Sequence, residues 1–321
     1  MKIMESIPNI SEGRRPEVIA YIATKVREAS SAKLLHIDSN ADANRTVFTL
    51  AGTPDEVRKS TFILIQASIE KIDMRLQTGA HPRLGAVDVC PFVPVKNMTL
   101  QEAARQADIL AGEVASQLNI PIYFYEKNAS CKERKNLAFL RWGEYEHLSE
   151  KMTLLPPDLG PQVFSESVAK TGACVMGARP FLIAFNISLN TQDLSAAKRI
   201  ASALRERDGG LPTLKAIGWL MPGYQAAQVS FNLTDFHTTG LAQTFESCRK
   251  EAQKQGLEIT GSELIGLAPQ EAFLEAGRFY APQETDPATL TNLAIERLGL
   301  NKIRPFNGQE QILENCLAAV I

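Results

Sequence analysis

The sequence predicts an α+β protein built from two copies of one βαββαβ unit. Strand and helix patterns alternate in each half of the 321 residues, and the order of the elements repeats. A proline-rich stretch at residues 153–162 separates the halves. The word NIS, at residues 9–11 and 186–188, ends a predicted strand and precedes a predicted helix in both halves. An internal duplication of this kind indicates two ferredoxin-like subdomains.

The elements of the first half follow from the spacing of their apolar residues. Strands are predicted at residues 3–10, 33–38, 45–50, 87–95 and 120–125, and helices at 15–30, 53–73, 99–118 and 132–141. The words TPDE at 53–56 and TLQE at 99–102 are capping boxes, which are typical of helix starts. The core order is therefore βαββαβ, with one further strand and helix after it.

The second half repeats this order. Strands are predicted at residues 181–189, 214–220, 227–233 and 258–267, and helices at 193–207 and 239–255, before three helical segments close the chain. The predicted domain division is an N-terminal subdomain at 1–152, a linker at 153–165 and a C-terminal subdomain at 166–321.

Composition excludes several classes of protein. With 34 basic and 36 acidic side chains, the formal charge of −2 gives no overall attraction to nucleic acid or to an anionic membrane. The five cysteines form no CxxC pair, which favours reduced thiols. The N-terminal residues lack the apolar run of a signal peptide, and no apolar stretch is long enough for a membrane span, so a cytoplasmic protein is expected. The phosphate-loop, zinc-hydrolase and nucleophile-elbow motifs are absent.

Residues 79–92, GAHPRLGAVDVCPF, are the segment richest in features that point to chemistry. His81 precedes a proline, which favours extended backbone and helps to fix the direction of the side chain. Gly79 and Gly85 bracket it and allow backbone to approach a ligand closely. An imidazole takes and returns a proton near neutral pH, as amine-transfer chemistry requires. A structural histidine held by backbone hydrogen bonds explains the same spacing equally well.

Other polar residues at the ends of elements are further candidates. Asp38 ends a strand, where a carboxylate is well placed to orient a histidine, although the sequence slightly favours a turn carboxylate bound to its own backbone. Four arginines at element ends could bind carboxylate or phosphate, and a solvated surface position is the commoner alternative for each: Arg14, Arg45, Arg83 and Arg179.

Longer sequence motifs occur along nearly the whole chain. They are PNISEGR at 8–14, NRTV at 44–47, HPR at 81–83, DVCPF at 88–92, WGEYE at 142–146, GP at 160–161, GARPFLIAFN at 177–186 and GSELIGL at 261–267. In these motifs the chain resembles the glutamate formimidoyltransferase family, which includes the formiminotransferase part of formimidoyltransferase-cyclodeaminase.

The resemblance implies a fold, a reaction and a site. The two ferredoxin-like subdomains would face each other across a folate cleft. The reaction would move a formimino group between N-formimidoyl-L-glutamate and N5 of tetrahydrofolate, the co-substrate, in histidine degradation, and no metal is expected. The family's catalytic histidine matches His81, and Asp38 matches an aspartate that supports it. The residues expected to bind folate or the second substrate are Asn9, Arg14, Arg45, Arg83, Gly160, Phe164, Gly172, Gly177, Arg179 and Asn186.

The resemblance also implies partners. They are folate with or without a polyglutamate tail, a second copy of the chain in a homodimer, and a separate cyclodeaminase, whereas nucleic acid and membranes are not expected. Two alternatives remain open: glutamate formyltransferase activity on the same scaffold, and a non-catalytic folate-binding module. A metal hydrolase that uses His36, Asp38 and His81 is a more distant alternative.

Overall fold

The computed structural model describes residues 1–29 and 32–318. The chain divides into two compact units, Met1–Pro180 and Phe181–Ile321. The predicted end of the first helix, at residue 30, lies outside the described residues, as do residues 319–321 at the end of the predicted second subdomain. No helix within the described ranges is both long and apolar enough to cross a membrane.

The first unit is one mixed sheet with helices on both faces. Its strands are β1 (Ile3–Ser6), β2 (Asn9–Ile10), β3 (Lys33–Asn40), β4 (Arg45–Gly52), β5 (Val87–Lys96), β6 (Ile122–Phe124) and β7 (Cys174–Ala178). Its helices are α1 (Pro16–Ala29), α2 (Pro54–Lys71), α3 (Leu100–Leu118), α4 (Leu137–Leu140), α5 (Leu148–Leu154) and α6 (Glu166–Thr171).

The strand order of this sheet contains a ferredoxin-like unit. β1 and β2 lie one after the other between β4 and β5 and run antiparallel to both. β3 pairs with β4. The predicted βαββαβ order of this half is therefore confirmed. Beyond β5, β7 pairs in parallel with β5, and β6 pairs in parallel with β7.

The alternation of side chains along the strands divides the apolar residues between two cores. Phe48 and Phe92 belong to the larger core, which is completed by α1, α2 and α3. Val175 points to the opposite face from its neighbours in β7 and joins a smaller cluster with residues of α5 and α6. Polar residues on this second face therefore point away from the layer formed by α1, α2 and α3.

The capping boxes begin their helices as predicted. The backbone amide of Thr99 donates to Glu102 Oε2 (2.7 Å), and the amide of Glu102 donates to Thr99 Oγ1 (3.2 Å). At the start of α2, the amide of Thr53 donates to Glu56 Oε2 (3.0 Å). These bonds satisfy amide groups that have no partner within the helix.

The second unit repeats the ferredoxin-like topology. Its strands are β8 (Ile183–Leu189), β9 (Leu214–Met221), β10 (Ala226–Leu233) and β11 (Ile259–Ile265), and its helices are α7 (Leu194–Leu204), α8 (Leu241–Lys254), α9 (Gln270–Tyr280), α10 (Pro287–Arg297), α11 (Gly308–Gln311) and α12 (Leu313–Ala318). The antiparallel order β11-β8-β10-β9 matches β5-β1/β2-β4-β3 of the first unit. The predicted duplication is confirmed, and the facing arrangement across a cleft stays a prediction.

The boundary between the units lies beyond the predicted linker. Residues 153–165 belong to the first unit, where Leu159 forms a bridge with Ile122. The stretch that follows includes β7, which lies between β5 and β6 in the sheet of that unit. Prolines mark loops as well as linkers, which explains why composition placed the division too early along the chain.

Candidate active site

The loop that carries His81 is packed against backbone on both sides. A Cβ atom on Gly79 would lie 2.4 Å from the carbonyl oxygen of Ala43, and one on Gly85 would lie 2.3 Å from that of Ala173. Both positions therefore need glycine for the packing of the loop itself. The glycines therefore serve the packing of the histidine loop, and the close approach of their backbone to a ligand stays a prediction.

The ring of His81 is oriented by its own loop. Its Nδ1 atom lies 2.7 Å from the carbonyl oxygen of Pro82. A carbonyl oxygen only accepts hydrogen bonds, so Nδ1 carries the proton in this contact. In the neutral ring Nε2 then holds the lone pair, which is the form that a general base requires. The residue as a whole is half-buried.

The surroundings of His81 keep its ring neutral. Removal from water lowers its pKa well below the ordinary value of 6.5, and the positive charges of Arg45 and Arg141 lower it further. The Asp88 carboxylate and the contact with Pro82 act in the opposite direction but are weaker. At neutral pH the imidazole is therefore unprotonated and able to accept a proton.

Asp88 lies at an irregularity in the sheet. Asn9 of β2 pairs with Val89 of β5, whereas the next residue, Ile10, pairs with Val87. Asp88 is thus an extra residue on β5, as in a β-bulge, and a bulge redirects the side chain of the residue it contains. The side chain of Asp88 is fully buried (0% exposed).

Two arginines share the buried Asp88 carboxylate. Arg45 Nη2 donates to Oδ2 (2.6 Å), and Arg141 contacts both oxygens, with Nε donating to Oδ1 at 3.2 Å. The amide of Leu84 also donates to Oδ1 (2.9 Å). Burial alone would raise the pKa of Asp88, but the two guanidinium groups outweigh it and bring the pKa to about 2.

Arg45 connects this carboxylate to the histidine loop. Its Nε donates to Asn9 Oδ1 (2.9 Å), and its Nη1 donates to the carbonyl oxygen of Pro82 (3.4 Å). Pro82 is also the residue that fixes His81 Nδ1. The structure therefore brings together three residues that the sequence singled out: Asn9, Arg45 and His81.

Arg83 is engaged by carboxylates of the chain itself. Its Nη2 donates to Gln77 O (2.7 Å) and contacts Glu146, while Nη1 lies 3.6 Å from Glu144 Oε2. Both glutamates belong to the WGEYE word. Arg83 is therefore already paired with two glutamates of that segment, and its role in binding a substrate carboxylate stays a prediction.

Asp38 lies on the same sheet face as Asn9. Both residues pair with Val47 of β4, one from each side, and directly opposed residues point to the same face of a sheet. The side chain of Asp38 is buried. This position is compatible with its predicted support of His81, which stays a prediction.

Other predicted binding residues have structural reasons of their own. A Cβ atom would lie 2.4, 2.4 and 2.3 Å from a backbone atom at Gly160, Gly172 and Gly177, respectively. Gly172 pairs with Gly85 at the base of the histidine loop. Phe164 packs against the smaller apolar cluster of the first unit.

The remaining predicted residues, Arg14, Arg179 and Asn186, make hydrogen bonds of their own. Arg14 is exposed, and its Nε donates to Ala41 O (3.0 Å). Arg179 follows β7, and its Nη1 donates to Pro180 O (2.9 Å). Asn186 lies in β8 of the second unit, where it is buried and its Nδ2 donates to Glu263 Oε1 (3.4 Å).

Asp88, Arg141 and Lys151 were not predicted as site residues. Asp88 belongs to the motif DVCPF, and Arg141 directly precedes the motif WGEYE. Their proximity to these motifs was a sequence signal that could have identified both as site residues. Lys151, in α5, is fully buried, and its charge interacts with those of Asp88 and Arg141. No feature of the sequence distinguishes it from a surface lysine.

The arrangement has a clear chemical capacity. A neutral imidazole with a defined tautomer can remove a proton from an amine and then return it to a leaving nitrogen. The neighbouring guanidinium groups can bind carboxylates. Within residues 1–29 and 32–318, no three His, Cys, Asp or Glu side chains are grouped in a way that could hold a metal ion.

Both halves of the chain match models of one protein family. Residues 3–179 match the N-terminal subdomain of the formiminotransferase domain, and residues 184–318 match the formiminotransferase domain. The boundary between these two matches coincides with the division between the two compact units.

Relatives of two kinds are similar over most of the chain. The glutamate formimidoyltransferase of Streptococcus pyogenes serotype M1 is 39% identical, covering 98% of this chain and 99% of the relative. That of Thermoplasma acidophilum is 36% identical, covering 87% and 92%. The formimidoyltransferase-cyclodeaminase of Sus scrofa is 41% identical over 98% of this chain, which spans only 59% of that relative's length.

Proposed function

Because the chain belongs to the formiminotransferase family, we propose that it is a glutamate formimidoyltransferase in which His81 is the acid and base. It transfers a formimino group between N-formimidoyl-L-glutamate and N5 of tetrahydrofolate, which is a co-substrate. The observation that carries this proposal is the contact between His81 Nδ1 and the carbonyl oxygen of Pro82 (2.7 Å), because it leaves the lone pair of the neutral ring on Nε2.

The transfer proceeds by addition and elimination. N5 of tetrahydrofolate attacks the carbon of the protonated amidine and forms a C–N bond, the C=N π electrons move to the imino nitrogen, and His81 Nε2 removes the N5 proton, which leaves a neutral tetrahedral intermediate. The resulting imidazolium then protonates the glutamate nitrogen of the tetrahedral intermediate. The bond from carbon to that nitrogen breaks, L-glutamate leaves, and the imidazole is neutral again. Proton transfer of this kind typically contributes about 10²–10⁴-fold to the rate, and the orientation of two bound substrates contributes more.

The charged residues around His81 support both stages. The charges of Arg45 and Arg141 disfavour the imidazolium, so the proton passes readily to the leaving nitrogen. Asp88 partly offsets those charges and makes the protonated intermediate accessible. We assign to Asp38 the orientation of His81 from the sheet face that it shares with Asn9.

The wider substrate contacts are part of the same proposal. Both substrates bear carboxylates, which suits the proposed arginines. The residues proposed to line the binding surface for folate and its glutamate tail are Asn9, Arg14, Arg45, Arg83, Gly160, Phe164, Gly172, Gly177, Arg179 and Asn186. A homodimer in the cytoplasm, with a separate cyclodeaminase as a partner, completes the proposal.

The decisive variant is His81→Asn. The asparagine Nδ2 can replace Nδ1 as the donor to Pro82 O, but nothing replaces Nε2 as the base. We expect a loss of at least about a hundredfold in formimino transfer, with folate binding retained. His237→Asn is the matched control, because it makes the same substitution at an exposed histidine that pairs with Glu275. Turnover by His81→Asn near that of the wild type would refute the assignment.

A parallel assay separates the formimino reaction from formyl transfer. N-formimidoyl-L-glutamate and N-formyl-L-glutamate are supplied in turn with tetrahydrofolate. We expect faster transfer from the formimino donor. Preference for the formyl donor would replace the proposed substrate, and folate binding without turnover of either donor would indicate a binding module.

A further inference from the structure

Lys151 is an unusual residue within the first unit. It lies in α5, is fully buried (0% exposed), and its Nζ makes no hydrogen bond within the described part of the chain. An ammonium group removed from water without an acceptor destabilises the folded protein. The proposed mechanism leaves this residue without a role.

The carboxylates that attract Lys151 are already bound to arginines. Its charge interacts favourably with Asp88 and Glu144 and unfavourably with Arg141. Asp88 is held by Arg45 and Arg141, and Glu144 lies 3.6 Å from Arg83. The charge of Lys151 therefore offsets part of the negative charge of Asp88 and leaves the two guanidinium groups with more attraction for another anion.

We infer that Arg45, Arg141 and Lys151 form a binding site for a carboxylate group of a substrate. This inference rests on the proposed function, in which both substrates contain glutamate. Lys151 acts as a positioning residue: its enclosed charge works through Asp88 and the arginines, while the guanidinium groups supply the donors. The carboxylate comes either from the formimino donor or from the glutamate of folate.

Direct binding tests the inference without depending on turnover. L-Glutamate, folic acid and pteroic acid, which lacks the glutamate, are titrated calorimetrically into the wild type, Lys151→Met and Lys151→Arg. We expect Lys151→Met to bind at least one glutamate-bearing ligand about tenfold more weakly and pteroic acid unchanged, and Lys151→Arg to stay within about threefold of the wild type. Lys135→Met is the matched control, because it removes the same charge from an exposed position.

The pattern of loss identifies the source of the carboxylate. Weakening of L-glutamate alone indicates the donor, and weakening of folic acid alone indicates the folate tail. A folded Lys151→Met that binds both as tightly as the wild type overturns the inference. Because a buried charge is removed, we also expect Lys151→Met to melt at a higher temperature than the wild type, which separates weaker binding from a damaged fold.

The dependence on pH provides an independent readout. Burial lowers the pKa of Lys151 to about 8; the facing charges of Asp88 and Glu144 raise it, and that of Arg141 lowers it. The lysine is therefore a cation below this pH, and wild-type affinity for the carboxylate should fall as the pH rises through about 8. Lys151→Arg should lose this dependence, since arginine stays charged. Constant wild-type affinity between about pH 7 and 9 would contradict the inference.

Failure of the inference differs from failure of the proposed function. If the wild type transfers the formimino group but Lys151→Met binds normally, the transfer stands and the carboxylate site is wrong. If the wild type shows no transfer while Lys151→Met loses binding of L-glutamate, the site stands and the reaction is wrong.

Discussion

At Asp88, a single carboxylate satisfies donors from three separate parts of the chain. Arg45 comes from β4, Arg141 follows α4, and Leu84 belongs to the histidine loop. A buried ion pair is weak evidence of stability as a whole, because its desolvation offsets its attraction. Loss of one member is different, since the remaining charges stay buried without compensation.

Asp88→Asn should therefore destabilise the protein by about 3 kcal/mol, as measured by urea unfolding at neutral pH. The pKa of Asp88 is lowered from 3.8 to about 2 in the fold, so its stabilising contribution is complete above 3.8 and is lost as the pH falls towards 2. The stability difference from the wild type should shrink over that interval. Asp55→Asn, at an exposed position, should change stability by less than about 0.5 kcal/mol. An equally small effect of Asp88→Asn would contradict this account.

The sequence predicted only part of the candidate site. His81, Arg45 and Asn9 belong to recognisable sequence motifs, and the structure brings them together. The selection of Asp88 over other carboxylates depends on a register shift between β2 and β5, which local patterns do not contain. Lys151 is exceptional through its burial alone, and burial of a single charged residue depends on the packing of distant elements.

At the scale of elements, Gly172 joins α6 to the histidine loop. It ends the helix with φ of 66° and ψ of −158°, a conformation that is open essentially to glycine alone. An added Cβ would lie 2.4 Å from both Gly85 Cα and Leu84 O. A larger residue would therefore push on the segment that carries His81.

Gly172→Ala should lower the free energy of unfolding by about 2–4 kcal/mol and reduce the rate of formimino transfer. The control is Gly112→Ala in α3, where a Cβ would meet no atom within 4 Å. That variant should gain about 0.5–1 kcal/mol, because alanine is the better helix former. Denaturant unfolding and turnover of the same preparations provide the measurements. A Gly172→Ala protein as stable as Gly112→Ala would show that the junction is not constrained.

Short sequence patterns predicted the elements whose ends are fixed by local hydrogen bonds. The capping boxes of α2 and α3 identified their first turns, and apolar spacing located the strands of both βαββαβ units. β7 was not predicted as a strand, although it lies between β5 and β6. Its pairing is parallel and joins distant segments, so no adjacent turn marks it in the sequence.

At the scale of the whole molecule, the duplication was predictable because each copy has its own apolar periodicity. The two units have separate apolar cores and the same antiparallel strand order. The position of the boundary was not predictable from composition, since it is decided by which sheet receives β7. A prediction about fragments therefore distinguishes the two boundaries.

A fragment of residues 1–180 should fold cooperatively, whereas a fragment that stops at residue 165 should not. The shorter fragment lacks β7, so β6 loses its partner and the edge of β5 is left unpaired. It also loses Val168 and Val175 from the smaller core. Exposed strand edges and apolar surface favour aggregation. Circular dichroism melting and size-exclusion chromatography of both fragments provide the test. Equal, cooperative melting would place the boundary at the proline-rich stretch, because α6 and β7 would then contribute nothing essential to the first unit.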